Sequence, residues 1–159
     1  MNTFYVREEG VYREASSADV IAHARQLVRQ RFRPGSPVLA TPAVLREFLT
    51  LHLAGRENET FGIVHLTTRN RLICTEDLFN GTIDSTVVHG REVVRSVLRH
   101  NTARVICYHN HPSGDVEPSH CDQIMTQQLK STLALIDVRL IDHLIIGDGI
   151  CSFAERGLI

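Results

Sequence analysis

RVICYHNHPSGDVEPSHCDQIM, residues 104–125, decides both the fold and the chemistry of this chain. Its opening, Arg104-Val105-Ile106-Cys107-Tyr108, is a short apolar run rich in β-branched and aromatic residues, the pattern of a buried strand. Side chains on a strand alternate between two faces. If the strand extends through residue 111, His109 and His111 therefore project from one side at its carboxyl end. Pro112-Ser113-Gly114-Asp115 cannot prolong it, because Pro removes a donor and Gly and Asp supply turn conformations. Ser119 then reads as a helix N-cap with Asp122 at the third helical position. Ile124, Met125, Leu129, Thr132, Leu133 and Ile136 recur at helical spacing as the buried stripe. Strand end and helix start become neighbours across one loop, where Asp122 can join the two imidazoles.

Taken singly, these residues have plainer readings. Ser119-x-x-Asp122 is a capping-box pattern, and a histidine near a strand end is commonly a hydrogen-bonded imidazole. The conjunction favours a metal, since two same-face histidines beside a carboxylate make a ready part of a coordination shell. Zinc suits the set: it takes imidazole nitrogen and carboxylate oxygen, and catalytic sites keep three protein ligands and one open position. A water in that position has its pKa lowered to about 7.

Working outward, Thr3-Phe4-Tyr5-Val6 and Val11-Tyr12 around Gly10 suggest a small hairpin. A helix spans about 18–32, with Val20, Ile21, Ala24, Leu27 and Val28 as its stripe and Pro34-Gly35 as its end. Thr41-Pro42 starts a second helix, with Val44, Leu45, Phe48 and Leu49 inward and Gly55 near its end. Residues 60–67 and 71–75 form a hairpin through Thr68-Arg69-Asn70. Val93, Val94, Val97 and Leu98 mark a helix leading into the 104–111 strand. Val138-Arg139-Leu140-Ile141 and Leu144-Ile145-Ile146 read as strand, turned by Gly147-Asp148-Gly149 toward Cys151 and Phe153.

His109-x-His111, seven residues, Ser119, two residues, Asp122 resembles the metal-site pattern of the JAMM (MPN-domain) metalloproteins. The surrounding text is similar to their RadC-type branch: Phe79-Asn80-Gly81-Thr82, Arg91-Glu92-Val93, His109-Asn110-His111-Pro112-Ser113-Gly114 and Asp142-His143. The resemblance implies an α/β (α+β) fold with a mixed, largely antiparallel sheet flanked by helices, the MPN, deaminase-like architecture. It implies one zinc per chain held by His109, His111 and Asp122, with Ser119 hydrogen-bonding the activated water or the developing oxyanion. It also implies an upstream glutamate as proton shuttle. Glu59, just before the 60–66 run, is the best positional match; Glu57, Glu76 and Glu117 are further options. Tyr108 and Gly90 depart from the family pattern and bear on the shape of the groove beside the metal. Asp142-His143 can offer outer-shell support.

The function so implied is hydrolysis of a peptide or isopeptide bond in a peptide-like substrate. The alternative is a non-catalytic interaction module, contacting a protein partner, in DNA repair or mobile-element biology. Nucleobase deaminases need His-x-Glu and Pro-Cys-x-x-Cys, and no Cys-x-x-Cys exists here. His-Asn-His matches the letters of HNH nucleases only by coincidence, since those nuclease residues are dispersed along a ββα-metal unit. A structural zinc needs a fourth protein ligand, for which Cys121 is the neighbour.

With 17 Lys+Arg against 18 Asp+Glu, the net charge of −1 supplies no field for holding phosphates, so nucleic acid enters only by family association. Arg25, Arg29, Arg31 and Arg33 read as a solvated helix face. Four widely spaced cysteines without a signal peptide fit reduced thiols in the cytoplasm, and Cys107 fits core filler. No apolar run is long enough to cross a membrane. Domain organisation reads as an N-terminal extension over 1–36, carrying one amphipathic helix, and the RadC-like domain over 37–159. An extension of that length is too short for the helix-hairpin-helix region of longer RadC proteins.

Overall fold

The computed structural model describes residues 3–8, 10–35, 42–82 and 87–159, the side chains of Arg29 and Arg31 excepted. Thr41 as a helix start, the 36/37 boundary and the side chains of Arg29 and Arg31 lie outside the described residues. Along the chain run β1 (Tyr5–Glu8), β2 (Val11–Glu14), α1 (Ser17–Arg31), α2 (Pro42–Leu53), β3 (Thr60–Leu66), β4 (Leu72–Asn80), α3 (Gly90–Arg99), β5 (Arg104–Asn110), α4 (His120–Ala134), β6 (Arg139–Ile146) and β7 (Ile150–Ser152).

β1 and β2 form the expected hairpin. The other five strands make one sheet in the order β4-β3-β5-β6-β7. β5 and β6 pair in parallel and every other pair is antiparallel. A parallel pair needs a crossover, and α4 supplies it. The sheet is therefore mixed and mostly antiparallel, in an α/β fold.

Alternation sorts β5 between two cores. Ile106 and Tyr108 enter one apolar cluster with Val28 of α1, its C-cap Phe32, and Leu45, Phe48 and Leu49 of α2. Val105 and Cys107 enter the other, with Val93 and Val97 of α3 and Leu129 and Leu133 of α4. Helices thus cover both faces, which is why β3 is buried along its whole length and β5 along nearly all of it.

Four elements differ from the sequence-based expectation. On α1 the expected apolar stripe is buried only at Val28, while Val20, Ile21 and Leu27 are exposed, and Arg25, expected on a solvated face, is half-buried and donates to the Leu51 and Ala54 carbonyls at the end of α2. β4 runs to Asn80 rather than 75, because Glu76 and Asp77 find partners on opposite faces of it. Glu76 accepts from Ser96 and Arg99 on the α3 side, and Asp77 from His52, Arg56 and Tyr108 on the α2 side. On α4, Ile124 is 46% exposed and Thr126 takes a buried place. β6 is one strand passing through Asp142-His143, where Asp142 accepts from the His143 N–H, Ser152 Oγ and the Ala154 N–H.

Asp77 gives the fold an acid limit. Burial opposes its ionisation, but hydrogen bonds from His52 and Tyr108 and the Arg56 charge outweigh that and hold the carboxyl well below the usual carboxylate range. A depressed folded-state pKa means the unfolded chain protonates first. The stability Asp77 contributes is then present above the ordinary Asp value of about 4 and is lost as pH falls below it. Asp77→Asn is expected to lose about 1–3 kcal/mol at pH 7 and to show a flatter decline below pH 4. Urea unfolding at pH 7 and pH 3 measures both, and parallel declines for variant and wild type would rule the effect out.

Candidate metal centre

β5 ends at Asn110, yet the His111 N–H donates to Ile146 O at 2.9 Å, which carries the ladder one residue further and keeps His111 on the strand line. His109 and His111 therefore share a side, their Nε2 atoms 2.9 Å apart. The chain then turns at Gly114, whose φ of +87° is one that L side chains rarely adopt. The turn leads to α4, whose N-cap is Ser119. The capping box is complete: the Asp122 N–H donates to Ser119 Oγ at 3.1 Å, and Asp122 Oδ2 accepts from the Ser119 N–H at 2.8 Å and from its hydroxyl at 2.6 Å. Asp122 Oδ1 lies 3.4 Å from His109 Nε2, and Oδ2 lies 3.7 Å from His111 Nε2.

The same box occurs at α1, where Ser16 caps and Asp19 answers. There the carboxylate faces Arg13. At α4 it faces two imidazoles, so local capping is common to both helices and only the surroundings separate them.

Proton accounting fixes the ring tautomers. Thr126 Oγ donates to the Asp122 carbonyl at 2.6 Å, so its single proton is spent. His143 Nδ1, 2.7 Å from that oxygen, must then donate to it. Neutral His143 keeps a lone pair on Nε2, which accepts from His109 Nδ1 at 2.8 Å. His109 is left with its Nε2 lone pair facing the site. His111 Nδ1 donates to the Asp115 carbonyl at 2.7 Å, leaving its Nε2 lone pair on the same point.

For His109 and His143 the electrostatics agree. Burial and the neighbouring His111 push His109 down to about 4 despite Asp122. Burial likewise drives fully buried His143 well below the ordinary imidazole value. Burial opposes the ionisation of Asp122, but the neighbouring imidazoles of His111 and His109 and the hydrogen bonds from Ser119 outweigh it and hold the carboxyl below the usual carboxylate range. His111 goes the other way: the Asp122 carboxylate beside Nε2 favours the charged ring more than desolvation opposes it, and the Asp115 carbonyl and the charge of Glu59 add to that, so a proton and a metal ion compete for this nitrogen.

His109, His111 and Asp122 each offer one ligand atom, all within 4.8 Å of one another. Two imidazole lone pairs and an ionised carboxylate turned on one point repel unless a cation sits among them. This donor set fits zinc in kind and number, and each imidazole has its other nitrogen anchored, as ligating histidines commonly do.

Glu59 stands immediately before β3, whose Phe61 pairs with His109. Its N–H donates to Thr82 O, and its carbonyl accepts from the Gly81 N–H. Asn110, between the two histidines, clamps the same segment: its Oδ1 accepts from the Thr60 N–H at 2.8 Å and its Nδ2 donates to Asn58 O at 3.2 Å. Glu57 is exposed. Glu76 is engaged by Ser96 and Arg99, and Glu117 by Arg156. Ser119 spends its proton on Asp122, so meeting a developing oxyanion would require the hydroxyl to rotate away.

Tyr108 does not shape the groove beside this site. Alternation sends it to the opposite face, where its hydroxyl donates to Asp77 at 2.6 Å. Sequence reasoning had no role for Thr126 or Asn110 and only an outer-shell suggestion for His143. A buried histidine inside an apolar strand was the one available signal.

The sequence matches the RadC-like JAB domain family over residues 39–158. A UPF0758 protein of Nitrosospira multiformis is 49% identical over 141 residues, covering 88% of this chain and 62% of its own length. One of Albidiferax ferrireducens is 43% identical over 151 residues, covering 94% and 64%. One of Vibrio cholerae is 45% identical over 139 residues, covering 87% and 88%. The chain thus spans less than two thirds of the first two relatives. No helix among the described residues is long and apolar enough to cross a membrane.

Proposed function

The chain belongs to the RadC-like JAB domain family, and from that premise we propose that it is a zinc-dependent hydrolase acting on an amide bond, in a peptide or isopeptide substrate. The observation that supports this most is the pair of imidazoles whose Nδ1 protons are committed to His143 and Asp115, leaving both Nε2 lone pairs directed with Asp122 at one point. Zinc, when bound, supplies a Lewis acid for the amide carbonyl and brings the pKa of water down to about 7.

His109, His111 and Asp122 would hold the ion. His143 and Thr126 keep His109 in the tautomer that presents Nε2, and Ser119 keeps the Asp122 carboxylate turned toward the histidines. Glu59 accepts the proton of the attacking water and returns it to the leaving amine.

Zinc analysis of the purified full chain tests the ligand set. His111→Ala and Asp122→Ala are each expected to lose one zinc equivalent per chain relative to wild type, with far-ultraviolet circular dichroism unchanged. Wild-type zinc content in both folded variants would overturn the reading and favour an interaction module that uses the fold for contacts.

A further inference from the structure

A second set of ligand-type side chains converges at the far end of β3, four residues or about 13 Å along the strand from the His109 partner Phe61. His65 on β3 lies directly opposite Cys74 on β4, and His100 caps the C-terminus of α3. Each offers one ligand atom, and the three atoms lie within 4.8 Å of one another. The two rings are 4.7 Å apart between centroids. Glu76 Oε2 joins them, 3.4 Å from His100 Nε2 and 3.7 Å from His65 Nε2.

His65 is fully buried, and its Nδ1 sits 2.7 Å from Thr102 Oγ1. Its Nε2 lies 3.2 Å from Ser96 Oγ, but the single Ser96 proton goes to Glu76. Thr102 Oγ1 can accept from Nδ1–H, which leaves the Nε2 lone pair turned on the cluster, or donate to Nδ1, which lets Nε2–H donate to Ser96 Oγ, and a bound cation selects the first. In that first state one nitrogen is anchored and the other turned on a cluster of donors, as at His109.

We propose that His65, Cys74 and His100 form a second zinc site, structural in kind, with Glu76 as the adjoining carboxylate. Two imidazoles and a thiolate, with the Glu76 carboxylate beside the imidazoles, are donors of the kind zinc takes when it holds structure. The ion ties the edge strand β4 and the end of α3 to β3. The site is independent of the hydrolase reading, because it shares no residue with the His109 centre.

Sulfur separates the two sites experimentally. Cobalt(II) bound by thiolate gives a sulfur-to-metal charge-transfer band in the near ultraviolet, and the His109 set contains no sulfur. Cobalt-loaded wild type and Asp122→Ala are expected to show the band, and Cys74→Ser to lack it. Zinc analysis is expected to find one equivalent fewer in Cys74→Ser and in His100→Ala than in wild type, and none in Cys74→Ser combined with Asp122→Ala. Absence of the band from Asp122→Ala, together with wild-type zinc content in Cys74→Ser, would overturn the second site. Wild-type zinc content in Asp122→Ala alongside a loss in Cys74→Ser would instead count against the first site and for the second.

Discussion

Glu59→Gln protein is expected to bind as much zinc as wild type and to cleave an amide substrate about 10²–10⁴-fold more slowly, the usual contribution of a positioned general acid–base. The substitution keeps the shape of the side chain and removes its charge and proton affinity. The backbone beneath it is fastened from three directions, by Thr82 O, by the Gly81 N–H and by the Asn110 amide across the neighbouring residues. Glutamine should therefore sit where glutamate sat, and the loss should fall on turnover while zinc content stays constant. Glu57, exposed two residues away, is the control, and Glu57→Gln is expected to turn over like wild type. The measurement is single-turnover cleavage of a peptide or isopeptide panel by zinc-loaded protein. Equal rates for Glu59→Gln and wild type would remove Glu59 from the mechanism, and a selective loss in Glu57→Gln would move the role there.

Gly62→Ala is expected to destabilise the fold by about 1–3 kcal/mol through overpacking, with the weakened Tyr108–Asp77 hydrogen bond adding to that. Gly62 lies between Tyr108 on β5 and Asp77 on β4 in the register of the sheet. The Tyr108 ring crosses over it to reach the carboxylate, and a Cβ there would stand 2.3 Å from Cζ and from the hydroxyl oxygen. Tyr108 is fully buried and cannot swing aside without breaking its bond to Asp77. A double-mutant cycle separates this clash from backbone effects. In a Tyr108→Ala background, Gly62→Ala is expected to cost far less than in wild type. Equal costs in the two backgrounds would show that the ring is not what excludes a side chain at 62.

The sequence by itself determined what depends on near neighbours in the chain. Two-residue spacing on an apolar strand puts His109 and His111 on one side, because a strand repeats every two residues. Ser119 and Asp122 close a capping box because three-residue spacing brings a side chain to the backbone it caps. Even the Pro-Ser-Gly-Asp stop follows from the conformations those residues favour.

Only the tertiary structure decided how distant segments meet. Parallel pairing of β5 with β6 sets His143 beside His109 across 34 residues and thereby selects its tautomer. Antiparallel pairing of β3 with β5 sets the Asn58–Thr60 segment beside Asn110, whose side chain accepts from the Thr60 N–H across 50 residues. Tyr108 was legible as a buried aromatic, but which core it enters and that Gly62 must give it room depend on the register of three strands. Ser16 and Asp19 make the point from the other side: they repeat the α4 box, yet Arg13 is their neighbour. Local dihedral and capping preferences act over a few residues and leave a pattern in the sequence. Register between remote strands is set by the summed packing of both cores, and no short stretch of the sequence carries it.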